Sequence, residues 1–286
     1  MKKRSWILFT VMVIIWGLNW AVMKVGLSFV DPLNLVMQRL SLASVALLPV
    51  LILRRRLLPR DFNTWLKIIL LSLINAFGML STNLGLMYEA SGLSSILTYT
   101  QPIFVFCLAV SFLGEKATLT KVFGVILGFL GVFTLYASRL SSSTNYSSVS
   151  ILLLILGAFL WAVTVIYYKK LLSHIDPVIM NIIQFPIGSI FLLVLILIFW
   201  KINFSFHVAY IFSLIYISVL ASALAASIWL FLIREEETII VSTSSFLVPA
   251  IALIFGSLFL KEPVGFSLLI AFMLILVGIY FVNRGR

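Results

Sequence analysis

The sequence predicts an all-α polytopic membrane protein of ten transmembrane helices, built as two inverted five-helix repeats. Three observations carry this. The 286 residues are 63% hydrophobic and 10% charged, where soluble domains run at roughly 45–50% apolar and about 25% charged. Apolar runs of about 20 residues, the length that crosses a bilayer, recur along the whole chain. The second half also repeats the landmarks of the first.

The first run, 6–27, follows Met1-Lys2-Lys3-Arg4. It is too long for the apolar region of a signal peptide and lacks a small-residue cleavage site, so it reads as a retained first span. Further spans follow at 33–53, 65–88, 92–113, 119–138, 149–171, 178–200, 209–232, 239–260 and 264–283. All are expected to be helical, because backbone groups in lipid must be satisfied within their own segment. The alternation of a barrel strand is absent. Connections are short, and none could hold an independent domain. A Ser-rich stretch at 140–148 divides the chain into a first repeat, 1–139, and a second, 149–286.

The net charge of +11 does not indicate nucleic-acid binding, because the basic residues sit in short loops between apolar runs. There they act as topology signals. With the N-terminus cytoplasmic, fifteen Lys and Arg fall inside and four outside, leaving Arg39 within a span. Both termini are therefore expected in the cytoplasm of a cell membrane. The single cysteine, Cys107, reads as a small buried hydrophobe, with no disulfide or metal spacing.

The repeat is seen at nearly constant offset. Asp31-Pro32 meets Asp176-Pro177, Trp16 meets Trp161 and Lys24 meets Lys169, each 145 positions apart. Further on the offset is 147, where Pro102 meets Pro249, Glu115 meets Glu262 and Gly131 meets Gly278. Five spans per copy is an odd number, so the second copy enters the membrane from the opposite side. This is the inverted repeat of many secondary transporters.

Polar residues inside the spans mark the candidate path. Pro102 and Pro249 lie mid-span, each removing an amide donor. Polar clusters precede them: Ser94, Ser95, Thr98, Thr100 and Gln101 in one half, Ser242 to Ser245 in the other. Two compatible readings follow: kinked helices with local back-bonding, and hinges beside a cavity that Tyr99 and Gln101 line. Arg39 is the strongly ionised side chain within a span, at an insertion cost of about 2.5–3.5 kcal/mol. Either it binds a solute carboxylate or phosphate through its planar fork, or it snorkels outward or ties helix ends together through backbone carbonyls. Trp16 and Trp161, with Asn19, suit the wall of an amphipathic organic solute's path. Asn83, Gln184 and Trp229 are further mid-span candidates.

No Asp or Glu sits at the centre of a span. Glu89 is at a boundary, and Glu115, Glu262 and Glu235 to Glu237 lie at span ends, positioned to cap the helices that follow. Proton coupling therefore has only boundary acids to use, the alternatives being facilitation or exchange of solutes. The two histidines, His174 and His207, are in loops. No nucleotide, metal or cofactor motif is present, so an enzyme is not expected. Nor is there a filter motif of the kind a channel uses.

The motifs resemble those of the ten-helix EamA-type branch of the drug/metabolite transporter superfamily. Trp16-Gly17-Leu18-Asn19-Trp20 is similar to its W-G-x-N-F, and Arg39 with Ala43 to its R-F-x-x-A. Leu113-Gly114-Glu115-Lys116 and Leu260-Lys261-Glu262-Pro263 follow at matching places. Leu40 departs from the usual aromatic residue, and Glu235 to Glu237 from the usual small ones. The resemblance implies an inverted-repeat transporter of a prokaryotic membrane, exporting amino acids and related metabolites. It also implies a central cavity lined by the first, third, fourth, sixth, eighth and ninth helices. Two alternatives stand within transport, uptake or efflux of aromatic cations, and one outside it, a non-transporting scaffold or receptor. The expected partners are a small-molecule solute and the lipid bilayer, with a proton or exchange solute as coupling partner.

Overall fold

The computed structural model describes residues 1–140, 148–260 and 266–285. Ten spans are present, with no strand among the described residues. They are α1 (Lys3–Gly26), α2 (Pro32–Arg54), α3 (Phe62–Tyr88), α4 (Ser91–Leu113) and α5 (Leu119–Leu140). The second set is α6 (Ser148–Leu172), α7 (Pro177–Phe199), α8 (Val208–Glu235), α9 (Thr238–Ser244 and Leu247–Leu260) and α10 (Ser267–Arg284). Eight are long and apolar enough to cross a membrane, while α5 and α10 contain shorter apolar stretches. Most of the expected Ser-rich linker, and Glu262, lie outside the described residues.

Both proline-containing spans are broken. In α4 one helix ends at Thr98 and the next begins at Gln101; in α9 the break falls at Ser245–Phe246. Pro102 and Pro249 thus enter in the first turn of a new half-helix, where a missing N–H costs least. Hydroxyls take up carbonyls beside each break. Thr100 Oγ1 donates to the Leu97 carbonyl at 2.8 Å, and Ser245 Oγ to that of Ser242 at 2.6 Å. The turns tighten as well, with Ile103 N donating to the Thr100 carbonyl and Val248 N to the Ser245 carbonyl.

Two departures from regular helix occur only in the second repeat. The last turn of α6, Tyr168–Leu172, and the middle of α8, Tyr216–Ala225, wind as π-helix. Such widened turns release carbonyls from their usual partners and recur at functional sites.

The helices pair across the two repeats. Contacts link α5 with α10 and α2 with α7; α3 with α6 is mirrored by α8 with α1, and α4 with α6 by α9 with α1. Under exchange of the halves α5–α10 and α2–α7 map onto themselves, and the other pairings map onto each other. The α5–α10 contact is close: a Cβ on Gly124 would lie 2.6 Å from the Gly278 carbonyl oxygen, and the converse distance is also 2.6 Å. Without a hydrophobic drive between helices in lipid, small residues permit this backbone approach.

The same exchange relates two clasps at opposite ends of the bundle. Lys24 Nζ donates to the carbonyls of Leu86, Met87 and Glu89 at 2.8, 3.0 and 2.7 Å, closing the end of α3. Lys169 Nζ donates to those of Ile233, Arg234 and Glu236 at 2.7, 3.0 and 3.0 Å, closing the end of α8. The orphan carbonyls of both helix ends are thereby met by a cation. Beside each clasp a buried carboxylate accepts a serine hydroxyl: Ser150 to Glu89, and Ser5 to Glu236 at 2.7 Å. Lys24 and Lys169, and Ser5 and Ser150, are 145 positions apart; Glu89 and Glu236 are 147 apart.

Both chain ends share one face, where Met1 N lies 3.9 Å from the Glu236 carboxylate and 3.4 Å from Asn283 Oδ1. The acids near this face do not cap the helices that follow them, as the sequence suggested. Glu115 instead accepts the amides of Thr238 and Ile239, capping α9 of the other repeat, and Glu237 pairs with Lys121. Interlocked repeats bring distant helix starts closer than the next one in the chain. Cys107, expected to be buried, is exposed on the outer surface of α4.

Candidate functional site

A cavity of about 170 Å³ lies at the centre of the bundle. At about 10–15 Å³ per water centre, it has room for a small organic solute. Seven helices line it: α1, α2, α3, α4, α6, α7 and α8. Two of these, α2 and α7, lie outside the helix set that the resemblance implied, although Arg39 and Gln184 had marked them, whereas α9 was in that set and contributes nothing.

The difference at α9 has a local cause. Tyr99, at the break in α4, lines the cavity, and its counterpart at the break in α9 is Phe246. Phe246 is instead buried against α5, where a Cβ on Gly128 would lie 2.6 Å from its ring. The counterpart of Gly128 in α10 is Ile275, which leaves no matching space for Tyr99.

Of the residues singled out by sequence, Trp16, Asn19, Arg39, Asn83, Tyr99, Trp161, Gln184 and Trp229 line the cavity together. Gln101 does not: it is fully buried outside the cavity, and neither Oε1 nor Nε2 has a hydrogen-bond partner. Pro102 and Pro249 are also buried away from the cavity.

Aromatic rings form one wall. Trp16, Trp161 and Trp229 stand 5.4–5.5 Å apart centroid to centroid, and Tyr99 is 5.5 Å from Trp161. Tilted and edge-on contacts of this kind satisfy the ring quadrupoles. Trp16 Nε1 donates to the Ala221 carbonyl at 3.1 Å, an acceptor within the π-wound stretch of α8.

The polar wall is organised by symmetry. Arg39 and Gln184 are counterparts 145 apart, and Asn75 and Ser222 are counterparts 147 apart. Arg39 Nε donates to Ser222 Oγ at 2.7 Å, while Asn75 Nδ2 donates to Gln184 Oε1 at 3.5 Å. The two contacts are images of each other. Ser222 is set for its task by the π turn: its hydroxyl donates five residues back, to the Ile217 carbonyl at 2.9 Å, leaving its oxygen toward Arg39. Arg39 Nη1 also reaches Met23 Sδ at 3.2 Å. Gln184 donates to Asn181, whose Nδ2 reaches Ser227 Oγ at 2.9 Å.

Three buried groups on the cavity wall hold spare hydrogen-bonding capacity: Asn19 Oδ1, Thr98 Oγ1 and Trp229 Nε1. With Arg39 they offer a solute both donors and acceptors. Sequence reasoning missed Asn75, Asn181 and Ser222. Applying the repeat offset to every polar mid-span residue, rather than to the landmarks alone, would have paired Arg39 with Gln184 and Asn75 with Ser222. Among the described residues no group of His, Cys, Asp or Glu could hold a metal ion.

Comparison with known proteins places these features in context. A model of the EamA-like transporter family matches twice, over residues 4–137 and 148–284. The chain is 34% identical over 287 aligned residues to the uncharacterized transporter YvbV of Bacillus subtilis, covering 99% of this chain and 92% of that one. It is 28% identical to a probable amino-acid metabolite efflux pump of Escherichia coli, covering 98% and 95%. A solved crystal structure shares the fold at a TM-score of 0.82 and 12% identity, covering 99% of this chain and 98% of that one.

Proposed function

The chain belongs to the EamA-like transporter family and is a multi-pass membrane protein, and on that premise we propose that it exports small amphipathic metabolites, such as amino acids, by alternating access. The observation that carries the proposal is the placement of the cavity. Counterpart positions of the two repeats line it, Trp16 with Trp161 and Arg39 with Gln184 among them. A site on the axis between inverted copies stays in place while the copies exchange conformations.

Arg39 serves as the partner of a solute carboxylate, and the tryptophan wall as the partner of its apolar part. The breaks beside Pro102 and Pro249 serve as the hinges. The face bearing both termini is the cytoplasmic one, supported by the fifteen-to-four bias of Lys and Arg. The export direction draws support from the name of the E. coli relative.

The test is counterflow in proteoliposomes with labelled amino acids. Exchange above empty liposomes is expected, and Arg39→Gln should abolish it while still accumulating in the membrane. No exchange of any amino acid would overturn the proposal. Right-side-out and inverted vesicles separate export from uptake.

A further inference from the structure

We infer that the cavity selects a solute with one net negative charge, bound in a fixed orientation with its carboxylate at Arg39 and its neutral polar end at Gln184. This rests on the transport reading and goes beyond it, because it excludes cations and places zwitterions second.

The chain has nine Asp and Glu, and all eight that are described sit at helix ends, most with a partner there. Asp31, Asp61 and Asp176 cap helix starts, and Glu115 caps α9. Glu89 and Glu236 hold serines, Glu235 lies beside Arg234, and Glu237 pairs with Lys121. None lines the cavity. Arg39 is 8% exposed, and its hydrogen bonds go to a hydroxyl and a thioether. Among the described residues it has no anionic partner. A guanidinium in such surroundings is stabilised by an anion that brings its own charge, and a carboxylate matches its planar fork.

An inverted repeat could place equal groups on both sides of the axis, yet the counterpart of Arg39 is Gln184, a neutral amide. A dianion spanning the axis would meet one cation and one amide. A zwitterion would bring an ammonium to a cavity with no acid, where Asn19 Oδ1 and the indole faces are its partners. A monoanion leaves no charge uncompensated, and burying an unpaired charge is what such a site must avoid. Exchange of conformation between the halves does not exchange Arg39 with Gln184, so the solute keeps its orientation through the cycle.

Three probes that share a ring and differ in charge test this: 3-phenylpropionate, phenylalanine and phenethylamine. Purified protein in detergent is read by its melting temperature with each probe, and proteoliposomes by counterflow. The expected order is anion, then zwitterion, then cation, with anion and cation separated by about ten-fold or more in half-saturating concentration. Arg39→Lys should keep the order with weaker binding, and Arg39→Gln should erase it. Gln184→Lys should bring the dianion phenylsuccinate to an affinity at least equal to that of 3-phenylpropionate. Preference for phenylalanine or phenethylamine would overturn the charge assignment and leave transport standing. If none of the three is moved or shifts the melting temperature, the charge assignment also falls. The amino-acid counterflow described above then judges transport separately.

Discussion

The two clasps at the ends of the bundle and the cavity at its centre are built by the same symmetry and have kept it differently. At the clasps the counterparts are identical: Lys24 and Lys169, Glu89 and Glu236, Ser5 and Ser150. In the cavity one aromatic pair is kept, Trp16 with Trp161, while the polar pairs differ: Arg39 corresponds to Gln184, Asn75 to Ser222, and Asn19 to Thr164. A clasp closes a helix end, and each repeat poses the same problem of orphan carbonyls near lipid. A solute is a single object without two-fold symmetry, so the groups around it gain nothing from matching. The clasps, which close helix ends, thus keep identical counterparts, and the polar groups of the cavity do not.

The largest effect should come from the clasps. Lys24→Met and Lys169→Met each leave three carbonyls without their cation, at about 1.5–3 kcal/mol. Thermal melts in detergent should fall by similar amounts for the two. A clear inequality would mean that the two ends are not equivalent. Next come the cavity variants. Asn75→Ala should leave melting nearly unchanged, Ser222→Ala should lower it by about 1–3 kcal/mol because the buried Arg39 Nε loses its partner, and the two should separate in transport. Ser222→Ala raises the half-saturating concentration of a carboxylate solute about ten-fold, because it frees the guanidinium, and Asn75→Ala does so less. Equal effects would argue against a polarised site.

A smaller effect is expected at the aromatic wall. Trp16→Phe removes the bond to the Ala221 carbonyl, at about 1 kcal/mol. Among the described residues no such bond holds the Trp161 indole, so Trp161→Phe should cost less stability. The smallest effect concerns helix starts. Asp61 caps α3 by accepting the Thr64 amide at 2.8 Å, and His207 caps α8 by accepting the Ala209 amide at 3.2 Å. The hydrogen bonds from Thr64 hold the Asp61 carboxyl below its ordinary value of 3.8. Its folded pKa is depressed, so its contribution is present above that ordinary value and fades as pH falls through the lowered one. Asp61→Asn should erase that acid-dependent part of a pH series of melts, and an unchanged series would remove the assignment.

The membrane class, the ten spans and the inverted repeat could be read from the sequence, because each rests on composition, run length and a parity argument. Lipid leaves a spanning chain little but helix. Trp16, Arg39 and Gln184 were legible as candidates, and they line the cavity, because a polar or aromatic group in mid-span has few other uses. What lay beyond the sequence was where each helix faces. Gln101 looked like a cavity residue by composition yet lies outside the cavity, and Cys107 looked buried yet faces outward. Glu115 caps a helix 123 positions away. The π turn that presents Ser222 to Arg39 leaves no clear mark in an apolar stretch. These were decided by the interlocking of the two repeats. A helix in lipid carries no polar face to orient it, so its rotation is fixed only by the neighbours against which it packs.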